Sequence, residues 1–222
     1  MGTRNLTCVV KDKTFRVAQY CQWDGYPSGV GAEILDFLRD EFDKDLMEIR
    51  LDQLEPVDDE EMEKLWEEAG SPRGQEMVSS DTIEKMKAAY PQLVREFGPA
   101  VLGRIQEGTL AGNKVKLEQS FAQDSLFCEW AYVVDLDRHK FEVYRGLNTR
   151  PIDHTERFYT GNLPEYGYPG DEDRFYPVSL LIEFDLDLLP DKEAFVKACE
   201  AADEDRHSEQ NEENEIEEAA AT

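Results

Sequence analysis

One eight-residue stretch concentrates the side chains that could do chemistry. Gln22-Trp23-Asp24-Gly25-Tyr26-Pro27-Ser28-Gly29 holds two aromatics, one acid, one amide and two glycines. Asp24 can accept hydrogen bonds or a proton. Trp23 and Tyr26 can form a stacking wall, and Gln22 can add an amide contact. Ser28 and Gly29 precede an expected helix whose first amides could hold an anion. A second reading of the same residues is structural: a turn, a core Trp23 and a Ser28 N-cap.

Glu129 is the other candidate. It enters an apolar run, Leu126 to Leu136, between Cys128 and Trp130. A buried carboxylate has to be paired, metal-bound or protonated. An ion pair with Arg4 or Arg16 is the structural alternative. Cys128 could act as a nucleophile beside a base, or as a small core hydrophobe. The binding candidates are therefore Gln22, Trp23, Asp24, Tyr26 and Glu129, and no catalytic residue is assigned.

Metals and cofactors find little. The three histidines, His139, His154 and His207, show no helical ligand spacing. Asp135-Leu136-Asp137 lacks the Gly and distal Glu of a calcium loop and reads as a hairpin turn. No phosphate-binding glycine motif is present. The expectation is no metal and no cofactor. Gly146 to Gly170, with Asn162, Tyr166 and Tyr168, reads as a pocket-lining excursion or an ordinary surface loop.

Elements must position these residues. Leu6 to Tyr20 reads as a β-hairpin turning at Lys11 to Thr14, with Phe15, Val17 and Gln19 on one face. A helix follows from Val30 to Phe42. Residues 46–57 stay open between a short strand and an extended connection. Further helices are expected over Asp58 to Ala69, Asp81 to Tyr90 with Asp81 as cap, Pro91 to Phe97, and Ala100 to Gln106. Trp130, Tyr132 and Val134 alternate with Ala131, Val133 and Asp135, and both sets are largely apolar, so that strand should be covered on both sides. Phe141 to Tyr144 returns it. Tyr176 to Asp185 reads as another buried strand, and Pro190 to Ala202 as a final helix. Strands at both ends and helices between predict an α+β fold. Its mainly antiparallel sheet would be built from N-terminal and C-terminal hairpins around a helical middle segment.

The chain has 222 residues and a formal net charge of -26. Residues 201–222 contain nine acids and one arginine, a net -8 that leaves -18 on residues 1–200. The expectation is one α+β domain over 1–200 and a disordered acidic tail over 201–222. The charge argues against nucleic acid and against an anionic membrane, with or without that tail. No signal peptide and no run of 18 apolar residues is visible. The four cysteines are widely spaced, and a cytoplasmic protein with reduced thiols is expected. The partner is an unknown small molecule or protein.

Two stretches carry a resemblance. Val17 to Gly29 (VAQYCQWDGYPSG) resembles the opening of a protein family of fungi, bacteria and phages marked by AQYxQWDGYPSG. Phe121 to Gly146 is similar to its second signature, DSLFCEWAYVxDLD. The resemblance spans about residues 4–147, and Cys21 stands where that pattern has Gly. The family carries no established activity, so the likeness points to a site and not to a reaction. A weaker likeness is to N-terminal-nucleophile amidohydrolases. Their mechanism needs a leading Cys, Ser or Thr, whereas removal of Met1 exposes Gly2, and Thr3 or Cys8 would need further processing. A ligand- or protein-binding module is the first expectation, and an amide-directed hydrolase the alternative.

Overall fold

The computed structural model describes residues 2–71, 78–161 and 175–220. Strands β1 (Asn5–Lys11) and β2 (Thr14–Cys21) form the expected hairpin. Asp12 and Lys13 both adopt left-handed backbone, as a tight two-residue turn between strands requires. Five helices fill the middle: α1 (Ala32–Asp40), α2 (Lys44–Leu51), α3 (Asp59–Ala69), α4 (Ser80–Ala89) and α5 (Ala100–Glu107). Two-residue strands β3 (Glu55–Pro56) and β4 (Lys114–Val115) pair with each other. Then come β5 (Trp130–Asp135), β6 (Lys140–Arg145), β7 (Ser179–Asp185) and α6 (Lys192–Ala220). The fold is α+β.

The main sheet runs β2-β1-β5-β6-β7. Its pairs are antiparallel except β1 with β5, which run parallel, so the helical middle serves as the crossover between them. Trp130, Tyr132 and Val134 enter one core with Ile34, Leu35, Val101, Phe141 and Phe195. Ala131 and Val133 enter the opposite core with Leu6, Cys8, Tyr144 and Phe158. Helices cover the first face and irregular segments the second. β5 is thus central and covered on both sides, as its composition predicts.

Several expectations change. Phe15 and Val17 lie on opposite faces, because the register slips at Val9/Val10 and leaves Arg16 as an extra residue in β2. Residues 44–51 are helical, capped by Asp43, whose carboxylate accepts the Leu46 N–H at 2.9 Å. Ser79, not Asp81, caps α4. Asp58 caps α3, and Gly70 ends it in left-handed conformation. Pro91 opens only a three-residue turn. β7 is a half-buried edge strand and not a buried one.

The final helix continues past Ala202 to Ala220, so the stretch from 201 begins as helix. Its first turns are docked: Asp203 takes the Arg145 Nε at 3.1 Å, and Arg206 Nη1 donates to the Gly146 carbonyl at 3.0 Å. An ion pair spanning 58 residues leaves no trace in local composition.

Candidate functional site

The Gln22–Gly29 loop is pinned through its backbone. Gln22 N–H donates to the Arg95 carbonyl at 3.1 Å, and Gly25 N–H to Thr3 at 3.0 Å. The Asn5 side-chain amide donates to the Trp23 carbonyl at 3.0 Å. The buried Tyr132 hydroxyl donates to the Gly25 carbonyl at 2.7 Å. Val30 N–H closes the loop on the Asp24 carbonyl at 2.9 Å. Asp24 itself sits at φ 54°, a conformation that Asp tolerates better than most residues. A side chain at Gly29 would put its Cβ 2.3 Å from the Asp24 carbonyl oxygen, so glycine is required there. The Pro27–Gly31 segment is a wide helical turn, and Ser28 makes no capping bond. The N-cap reading of Ser28 therefore falls away.

With its backbone fixed from below, the loop turns its side chains outward. Trp23 is 44% exposed and Tyr26 53% exposed, which removes the reading of Trp23 as core. Asp24 and Ser28 are exposed too. The Trp23 ring lies against Gly2, where a Cβ would stand 2.5 Å from it. Pre-organised aromatics on a scaffolded loop make good contact surface, because little side-chain entropy is lost on binding.

Tyr26 and Glu129 meet at a cleft of about 870 Å³. Its walls include Ser28, Trp130 and Arg145, and its far side is α6, with Glu200, Asp203, Glu204 and His207. Gln22, Trp23 and Asp24 do not line it. Glu129 precedes β5 and is half-buried, not enclosed in the strand. Its Oε1 accepts the Arg4 backbone N–H at 3.2 Å. The expected arginine partners are engaged elsewhere. The Arg4 guanidinium lies 4.6 Å from the Phe127 ring centroid, and Arg16 pairs with Asp52 at 2.8 Å.

Arg145 organises the cleft floor and was not singled out from sequence. Its guanidinium lies 4.7 Å from the Trp130 ring centroid. Its Nε reaches both Asp203 oxygens at 3.1 Å, and Nη1 donates to the Glu129 carbonyl at 3.0 Å. Arg206, close by, is pulled down to about 10 by burial and by the charge of Arg145, against Asp203.

The cysteine thiols are not activated as nucleophiles. All four cysteines are free and buried. Burial pushes the Cys8 and Cys199 thiols up to about 12 and Cys128 well above its ordinary value. Such thiols are neutral at physiological pH and behave as core hydrophobes. No hydrogen bond joins Asp24 to Glu129, or Ser28 to His207, among the described residues. Three possible ligands, His139, Asp185 and Asp187, come within 4.8 Å of one another at the far hairpin end. The Lys140 ammonium stands 3.6 Å from Asp185 and already supplies positive charge there. Asn162, Tyr166 and Tyr168 lie outside the described residues.

Sequence reasoning also missed a buried ionic network on the opposite sheet face. Glu142, fully buried in β6, accepts two hydrogen bonds from Arg157 at 2.8 Å, one from Arg138 at 2.6 Å and one from the Tyr144 hydroxyl at 2.8 Å. Arg157 also bonds Asp135. Burial alone would lower the Arg157 guanidinium, but the hydrogen bonds and charge of Glu142 raise it above its ordinary value. The signal was a lone Glu among β6 apolars, which is weak because such a residue more often faces solvent.

Comparison with protein-family models, with curated proteins and with solved structures finds no match for this chain. Among the described residues, no helix is long and apolar enough to cross a membrane.

Proposed function

We propose that the protein is a binding module whose recognition surface is the Gln22–Gly29 loop together with the cleft it shares with Glu129 and α6. The observation that carries this reading is the convergence of Tyr26 and Glu129, far apart in sequence, on one cleft beneath a loop fixed by core hydrogen bonds. The two stretches that resemble the motif family supply both sides of this junction. Their likeness to that family supports placing the site here.

The cleft chemistry favours a cationic ligand. Glu129, Glu200, Asp203 and Glu204 face it against Arg145 and a single histidine, and the whole chain carries -26. A protonated amine or guanidinium, on a small molecule or on a basic protein segment, complements that field. A nucleic acid or an anionic membrane does not. Four buried thiols without a disulfide agree with a cytoplasmic setting.

The test is a binding comparison by calorimetry between an arginine-rich peptide and the same peptide with glutamates in place of its arginines. The arginine peptide should bind, and Tyr26→Ala or Glu129→Gln should each weaken it about tenfold, the loss of one good contact. Equal binding of both peptides, or no effect of either substitution, overturns the reading.

A further inference from the structure

A second cavity, of about 400 Å³, separates the outer edge of β2 from the layer made by α3, α4 and the Pro91–Leu93 turn. Tyr20, Met62, Trp66, Ile83, Leu93 and Val94 give it apolar walls. That size and lining are those of a small-molecule pocket, provided a few polar groups converge on it.

Two do. Gln92 lines the cavity and is fully buried. Its Nε2 donates to the Ala111 carbonyl at 2.8 Å and the Lys114 carbonyl at 3.2 Å, which fixes the orientation of the amide. Its Oε1 then has no hydrogen-bond partner. A buried carbonyl left in this way is costly unless a donor arrives.

The second is a gap in the edge of β2. The Ala18 carbonyl accepts the Glu118 N–H at 2.9 Å, and the Gln22 N–H donates to the Arg95 carbonyl at 3.1 Å. Strand alternation turns Tyr20 to the same outer edge, midway between these two rungs. The Tyr20 carbonyl accepts the Gln19 side-chain amide at 3.2 Å. Its N–H has no backbone partner among the described residues. Charges at the rim are already matched, Arg95 with Glu96 at 3.4 Å and Lys116 with Glu118 at 3.5 Å. An ion would therefore find no uncompensated charge and would lose its hydration.

We infer that this cavity is a binding site, separate from the acidic cleft, for a small uncharged molecule with an apolar body and an amide-like donor–acceptor pair. The donor meets Gln92 Oε1 and the acceptor meets the Tyr20 N–H. The apolar body fills the space between Trp66, Ile83 and Leu93.

Benzamide and acetophenone make a matched pair of probes: both have an aromatic ring and a carbonyl, and only benzamide has the donor. The full chain is titrated with each while its backbone amide NMR signals are followed. Benzamide should give saturable shifts centred on Tyr20, Leu93 and Val94, and acetophenone should bind at least fivefold more weakly. Ile83→Trp and Met62→Trp each fill the cavity from a half-buried position and should reduce benzamide affinity at least tenfold. If one variant fails to fold, the other decides. No saturable shift at these residues, equal affinity for the two probes, or undiminished binding in a folded cavity-filled variant overturns the inference.

Discussion

Arg157 grips Glu142 with two parallel hydrogen bonds, Nε to Oε2 and Nη2 to Oε1, both 2.8 Å long. The carboxylate is fully buried, so this pair ties the segment around residue 157 to the middle of the sheet. Removing one partner from a buried ion pair leaves an uncompensated charge, at a cost of about 3–5 kcal/mol. Arg157→Met should lose stability on that scale in urea unfolding. Exchanging Glu142 as well for an apolar residue of similar volume should recover only part of it, because the buried Asp135 loses Arg157 in either case. A loss below about 1 kcal/mol in the single variant, the range of exposed pairs, would show that Arg138, 2.6 Å from Glu142, holds its charge without Arg157.

The Tyr132 hydroxyl links the central strand to the Gln22–Gly29 loop through its 2.7 Å bond to the Gly25 carbonyl. Tyr132→Phe keeps the ring and removes the donor. The carbonyl left behind costs about 1–3 kcal/mol, and the Tyr26 turn loses its anchor. Thermal unfolding should show the loss. Ligand binding at the cleft should weaken even though residue 132 does not line it. Unchanged stability and binding would mean that the other backbone bonds hold the loop unaided.

How much of this was legible depends on distance along the chain. The first hairpin, the helix over Asp58 to Ala69 and the two-faced apolar pattern of β5 are local signals, and each appears close to where it was read. The α2 helix was missed because Lys44–Leu51 buries only Met47 and Leu51, too few apolar positions for a period. The β2 bulge was missed because an inserted residue resembles ordinary alternation until the partner strand is known. Of the two residues that meet at the cleft, Tyr26 was singled out by its company of aromatics and glycines, and Glu129 as a carboxylate entering an apolar run. Arg145, Asp203 and Arg157 act through partners 15 to 58 residues away, which no local pattern encodes.

The buried thiols set an alkaline limit. Cys8 is raised from 9.0 to about 12, and Cys199 likewise, in each case by burial. The unfolded chain releases these protons from about pH 9, while the folded chain holds them. The unfolded state therefore binds fewer protons, and stability falls as pH rises from about 9 towards 12. Denaturant midpoints measured across that window should decline, and Cys8→Ala should flatten the decline. Under native conditions at pH 8 the four thiols should react slowly with an aromatic disulfide reagent, and all should react after unfolding. Rapid reaction of the folded protein would show that a cysteine is reachable and revive a chemical role for it.

Two glycine substitutions should move stability in opposite directions for separate physical reasons. At Gly29 an added Cβ meets the Asp24 carbonyl oxygen at 2.3 Å, a contact with backbone that no side-chain rotation can relieve. The loop must open, and the Val30 N–H to Asp24 bond that closes it is strained or lost. Gly29→Ala should cost about 1–3 kcal/mol, the range for overpacking, and should reduce cleft binding by displacing Tyr26. Gly103 lies inside α5, where an added Cβ meets nothing within 4 Å. There alanine restricts the unfolded chain and favours the helix, so Gly103→Ala should gain about 0.5–1 kcal/mol. Thermal unfolding of the two single variants reads both signs. If Gly29→Ala were as stable as the unsubstituted chain, the loop would be free to reshape, and its aromatics would not be held ready for a ligand.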